Sequence, residues 1–163
     1  MDSFWKETIW GQFGAAIDSL ENAIRACPDD VWLDDSSHWV CWYATYHTLF
    51  WLDLYLDPSP DTFRPPEPFT MDELDPRGLI PEKPYTKEAM LAYLAHGRSK
   101  CRSRIEAMDA AEAQRRWVWG PRDLSVAELL LYNMRHVQHH TAQFNLILRQ
   151  RIDSAPGWVS RAK

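Results

Sequence analysis

The 163-residue chain is poor in the residues that staple or punctuate a fold, with only three cysteines and six glycines. Cys27, Cys41 and Cys101 are widely spaced and odd in number, and none forms a C-x-x-C pair. That argues against both a disulfide framework and a thiolate zinc site. No stretch approaches the ~18 consecutive apolar residues of a membrane span. Met1-Asp2-Ser3-Phe4-Trp5-Lys6 lacks the basic region and apolar core of a signal peptide. Long basic runs are missing too, and the net charge is −5, so there is no electrostatic footprint for nucleic acid. The basic pieces Lys100–Arg104 and Arg115–Arg116 read as solvated helix faces. These absences lead us to expect a soluble protein of a reducing cytoplasm, with no membrane or nucleic-acid partner.

What is present is apolar and aromatic. Hydrophobic residues make up 45% of the chain, and nine tryptophans raise the aromatic share to 13%. That is enough to bury a real core in one domain spanning residues 1–163. Large rings suit either a thick helical interior or the wall of a pocket. Most of the eleven prolines gather between residues 58 and 84, leaving long stretches open to helix.

Four segments carry a helical period, and no alternating strand is evident. In the first, Ser3 to about Ala26, apolar residues recur at Phe4, Ile9, Phe13, Ala16, Ile17, Leu20 and Ile24 until Pro28 stops it. Asp34-Asp35-Ser36-Ser37 supplies capping chemistry for a second, from about His38 to Leu56, with the seam Val40, Tyr43, His47, Phe50 and Leu54. Residues 58–85 then form a long proline-rich connection, of the kind that serves as a crossover or a functional loop. Thr86 should cap a third helix reaching about Ala110, and Trp117 to Pro121 breaks the pattern. Ser125 and Glu128 form a capping box for the fourth helix, which continues to about Arg151. The expected fold is an all-α four-helix bundle with a long crossover loop between helices 2 and 3.

Three of the six histidines crowd into Arg135-His136-Val137-Gln138-His139-His140. On a helix, His136 and His140 stand one turn apart, ~6 Å between Cβ atoms. They share a face with Leu129, Asn133, Gln143 and Ile147, so the pair lies along the buried seam. His47 occupies the inner seam of its own helix and is the natural third ligand if the two helices face each other. An isolated histidine on an apolar face is more often a core residue satisfied by one hydrogen bond, and an H-x-x-x-H pair arises easily by chance. Three imidazoles buried together without an ion, however, would leave several polar nitrogens in need of partners. Three imidazoles would also leave coordination positions open, as catalytic sites require. His139 competes with His140 for the pair but points more to the flank. His38 and His96 read as surface or cap residues.

These segments resemble the DinB / YfiT-like family of metal-dependent enzymes. The resemblance rests on His47-Thr48-Leu49-Phe50-Trp51-Leu52-Asp53, on Leu124-Ser125-Val126-Ala127-Glu128-Leu129 where the fourth helix starts, and on His136-Val137-Gln138-His139-His140-Thr141-Ala142-Gln143. It implies a metal triad of His47, His136 and His140 holding zinc or nickel, with iron in some relatives. It also implies homodimers. Characterised relatives transfer low-molecular-weight thiols of the bacillithiol, mycothiol or glutathione type, or isomerise maleylpyruvate with a thiol's help. Two departures stand out: Thr141 replaces an arginine common after the last histidine, and Arg135 replaces an asparagine common before the first. Asp53, His139 and Gln143 are candidates to support the ligands from behind, although a solvated carboxylate is the plainer reading of Asp53. Phe63, Phe69 and Tyr85 could cover the open positions, and Trp42, Trp51 and Trp117 could wall a pocket. The expected function is a divalent-metal-dependent enzyme, a thiol transferase in the first instance. A metal-dependent hydrolase and a non-catalytic, metal-binding or dimerising module are the alternatives. Nothing resembles a DNA-recognition helix.

Overall fold

A computed structural model describes residues 2–35 and 40–162 of the chain. Within them the protein is helical apart from one small hairpin. Helix α1 spans Ser3–Ala26, with the Asp2 side chain accepting from the Trp5 amide at its start. Its inward stripe of Phe13, Ala16, Ile17, Leu20 and Ile24 is buried as the periodicity predicts, whereas Phe4 lies in solvent. Each large side chain so buried contributes ~1.5–3 kcal/mol of hydrophobic stabilisation. A single turn, α2 (Asp29–Trp32), follows and begins straight after Pro28, where a proline costs the helix no hydrogen bond. The second long helix, α3, covers Cys41–Tyr55. Its expected cap lies partly outside the described residues, and Val40 at the N-cap position makes no side-chain cap bond.

Helix α4 (Lys87–Ala107) is capped by Thr86, as the sequence indicates, but it stops three residues earlier than expected. Asp109 explains the stop. Its side chain accepts the Glu112 amide and starts a new short helix, α5 (Ala110–Gln114), instead of continuing the old one. The largest correction to the sequence reading follows. Arg116–Trp119 (β1) and Arg122–Ser125 (β2) form an antiparallel hairpin with Trp119 opposite Arg122. Gly120, at φ +55°, provides the positive φ that a two-residue hairpin turn needs. Four-residue strands are too short to show a period of two. Helix α6 (Val126–Ile152) then opens with the expected Ser125–Glu128 capping box.

The four long helices pack in a cycle: α1 against α4 and α6, and α3 against the same two. Helix α3 is apolar nearly all round and is buried between α4, α6 and the proline-rich connection. That connection folds back over α3 through buried aromatics. Phe69 stacks on Tyr46 and Tyr93, and Phe63 meets Phe50 edge to face. Both phenylalanines are therefore core residues and do not cover a pocket. The Tyr46 hydroxyl donates to the Thr70 carbonyl at 2.8 Å, and a short 3-10 turn at Asp72–Leu74 closes the segment onto α3.

Polar groups inside the packing are paired across helices. Arg98 on α4 grips Asp18 and Glu21 of α1 at 2.8 and 2.7 Å. Asp53 on α3, 1% exposed, accepts from Lys100 at 2.6 Å and from the Tyr93 hydroxyl at 3.2 Å, with His96 at 3.5 Å. It is neither solvated nor on a helix flank, contrary to the plainer sequence reading. Losing one member of a buried pair strands the other, a cost of about 3–5 kcal/mol. Lys100 would still keep Asp57 at 3.0 Å. Asp53→Ala should therefore lower stability by about 2–4 kcal/mol in urea unfolding. A loss under 1 kcal/mol would show that this pair is not a structural tie.

Candidate metal centre

Helices α3 and α6 run against each other, and His47 faces His136 and His140 across that contact. One ring nitrogen from each of the three lies within 4.8 Å of the others, close enough to hold a metal ion. The Nε2 atoms of His47 and His136 are 3.3 Å apart. Two nitrogens bound to one zinc at ~2.0–2.1 Å and a tetrahedral angle would also be separated by ~3.3 Å. The donor set fits the cation that the sequence suggests.

The outer nitrogens explain why the rings are presented this way. His47 donates from Nδ1 to Glu73 Oε2 at 2.7 Å, and the same carboxylate accepts from Trp51 Nε1 at 2.8 Å and from the Tyr43 hydroxyl at 2.7 Å. His140 Nδ1 meets Gln143 Oε1 at 2.7 Å. With Nδ1 protonated in both rings, the Nε2 lone pairs are directed into the cluster, and the tautomer is settled before any ion arrives. His136 Nδ1 is buried and has no hydrogen-bond partner among the described residues. Its ring is held instead by packing, edge-on to Tyr55 at 6.2 Å and to His140 at 4.5 Å.

The electrostatics keep His136 and His140 neutral. Burial first, and then the neighbouring His140, His47, His139 and Arg122, push the His136 pKa down to about 3. Burial and His47 bring His140 down to about 4, although Gln143 opposes the shift. Burial works the other way on Glu73, but its contact with His47 and the hydrogen bonds from Tyr43 and Trp51 hold its carboxyl below the usual range. Glu73 is thus an anion braced by three donors.

Most of the site residues expected from sequence meet here. Gln143 supports His140 directly. His139 is exposed and lies edge-on to His140 at 5.1 Å, flanking the cluster. Asp53 is not brought to it: its carboxylate meets Tyr93, His96 and Lys100 on α4 instead. Sequence reasoning missed Glu73 altogether. The residue sits in the connection with no periodic signal, 26 positions from His47. Its one available hint was an acidic side chain in the proline-rich segment. Thr141, where an arginine is common, is fully buried and donates to the Val137 carbonyl of its own helix at 2.8 Å. An arginine's charge would have no place at that position. His96 is half exposed, as expected, and His38 lies outside the described residues.

A cleft of about 480 Å³ opens beside His136, lined also by Tyr132, Arg135, Gln138, His139 and Ala142. The hairpin closes the neighbouring side. Trp119 packs on Trp51, Trp117 on Tyr55, and Trp51 and Tyr55 in turn on His47 and His136. Of the tryptophans considered for a pocket wall, Trp51 touches a triad histidine, while Trp42 and Trp117 are core.

A helical fold with a three-histidine cluster between two long helices defines the class of protein. The profile of the DinB superfamily matches residues 12–144, so the chain belongs to that superfamily. Comparisons with curated proteins and with solved structures return no significant match. Among the described residues, no helix is long and apolar enough to cross a membrane.

The neutral histidines have a consequence for stability. Unfolded imidazoles take up protons near pH 6.5, whereas folded His136 does so only near 3. Its contribution to stability is complete above pH 6.5 and is lost as the pH falls below that value. Between pH 7.5 and 5.0 the metal-free protein should lose on the order of 2 kcal/mol through His136 alone. Urea unfolding at the two pH values checks this, because a His136→Leu variant should lose correspondingly less.

Proposed function

We propose that this chain is a divalent-metal-dependent enzyme of the DinB-like type, with His47, His136 and His140 as ligands and a low-molecular-weight thiol as co-substrate. The observation that carries the reading is the convergence of three ring nitrogens within 4.8 Å. The orientation of two of those rings by Glu73 and Gln143 supports it. Zinc or nickel suits an all-imidazole donor set, and iron is compatible with it. When bound, such an ion supplies the Lewis acidity that stabilises a thiolate near neutral pH.

The chain's own residues do the rest. Glu73 and Gln143 hold the ligand rings in register, the wall of Trp51 and Tyr55 keeps bulk water from one side, and the cleft beside His136 admits the substrate. His139, at the cleft's edge, is placed to receive a proton given up there. The protein works in the cytoplasm, a placement supported by three buried cysteines, none of them in a disulfide. It functions as a homodimer, a reading favoured by Leu131 and Leu146, which α6 leaves exposed.

Untagged protein should bind close to one equivalent of metal by elemental analysis, and His136→Ala should bind almost none. Glu73→Gln should weaken metal affinity about 10–100-fold while the fold is kept, since partners behind a ligand histidine carry effects of that size. A Glu73→Gln protein with unchanged affinity would remove Glu73 from this scheme. Conjugation of a cellular thiol to an electrophile, assayed with and without metal, tests the reaction. Stoichiometric metal without turnover on any such thiol would favour a hydrolase or a non-catalytic metal-binding module.

A further inference from the structure

Buried polar atoms are seldom left without a partner, and the three histidines differ in this respect. The outer nitrogens of His47 and His140 are engaged by Glu73 and Gln143. His136 Nδ1 is buried and bonds to no protein atom among the described residues. One turn before it on α6 lies a second atom of the same kind. Asn133 is 1% exposed, and its amide nitrogen donates to the Leu52 carbonyl of α3 at 2.9 Å. That bond fixes the side chain and identifies the other amide atom as the oxygen. Oδ1 is buried too, and it has no hydrogen-bond partner either.

These two atoms are neighbours. Residues three apart on a helix have Cβ atoms ~5–6 Å from each other. Both side chains are turned to the same stretch of α3, Asn133 to Leu52 and His136 to Tyr55. They do not bond directly, so the space between them suits one bridging water, which needs only two to four polar partners. The other buried atoms without partners form no such pair. Arg98 Nε belongs to a guanidinium already on two carboxylates, and Asp34 pairs with Arg151. Trp117 Nε1 lies on the hairpin, and Asn145 stands two and a half turns beyond His136 on α6.

The chemistry sets the direction of the bridge. A neutral imidazole carries one proton. If His136 Nε2 faces a cation, that proton sits on Nδ1 and needs an acceptor. Asn133 Oδ1 can only accept. A water between them accepts from Nδ1–H and donates to Oδ1, which satisfies both atoms.

We infer that Asn133 is a positioning residue for the third ligand: through one buried water it holds His136 with the proton on Nδ1 and the Nε2 lone pair turned to His47 and His140. The inference rests on the proposed metal-dependent reading for the role of His136 as a ligand. The water bridge itself belongs equally to the metal-free chain. With it, each of the three rings has a partner behind it: the Glu73 carboxylate, the Gln143 amide and the Asn133 amide.

Two variants separate this role from a merely structural one. Asn133→Leu and Asn133→Asp both lose the donor to Leu52, but only the aspartate keeps an acceptor for the water. In competition with a chelator, Asn133→Leu should hold zinc about tenfold or more weakly than the parent, whereas Asn133→Asp should not be weakened. In cobalt-loaded protein the His136 Nδ1–H should give a hyperfine-shifted proton signal that survives in Asn133→Asp and is lost to solvent exchange in Asn133→Leu. Unchanged affinity in Asn133→Leu, or an equal loss in both variants, would overturn the proposal.

A high-resolution crystal structure of the metal-free parent gives a readout that needs no variant to fold. It should show one water within about 3.2 Å of both His136 Nδ1 and Asn133 Oδ1. A dry gap, or a protein atom bonded to His136 Nδ1, would overturn the proposal whatever the variants do. If the parent binds no metal, the metal reading fails, and the crystal structure still decides the bridge.

Discussion

The contact between α3 and α6 at His47, His136 and His140 is the constraint around which the rest of the molecule is arranged. Imidazole is polar at two points, and bringing three of the rings together removes several of those points from water. The chain meets that cost on the outer nitrogens of two rings, with Glu73 behind His47 and Gln143 behind His140. The inner nitrogens are left turned towards one another at separations that suit a shared cation. Glu73 depends in turn on the connection, whose Phe63 and Phe69 anchor it in the core and whose short 3-10 turn presents the carboxylate. The proline-rich segment therefore acts as a structural arm that reaches the site from outside the long helices.

Two buried carboxylates on opposite sides of α3 show how local pairing decides a role. Glu73 gathers three donors on the α6 side and keeps a histidine oriented. Asp53 gathers Lys100 and Tyr93 on the α4 side and ties two helices together. Both acids lie against the same helix in space, yet only one meets a triad histidine. Distance along the chain would have suggested the reverse, since Asp53 is six positions from His47 and Glu73 is twenty-six. On a helix, six residues is more than one and a half turns, which carries a side chain to the far face. The hairpin makes a comparable point. Too short to be read as strands, it nonetheless brings Trp117, Trp119 and Arg122 over the aromatic floor of the site.

Much of the fold was legible because it rests on local rules. The 3.6-residue period in α1 and α6, the Thr86 cap and the Ser125–Glu128 box all depend on residues within a few positions of one another. The pairing of His136 with His140 belongs to the same class, being a matter of one helical turn. The resemblance carried by the segments around His47 and His136 then pointed to the superfamily that the match over residues 12–144 identifies. By itself, then, the sequence determined the four long helices, most of their ends, the two-histidine face and the kinship.

Only the tertiary structure decided what those pieces meet. That His47 faces the pair, that Glu73 and not Asp53 stands behind it, and that Arg122 hangs over Trp51 and Tyr55 are all relations between segments far apart in the chain. Such relations follow from which faces pack and how a loop returns, and no spacing rule along one segment encodes them. Local propensity acts over a few residues, whereas a side chain's partner across the core is set by the packing of every element at once.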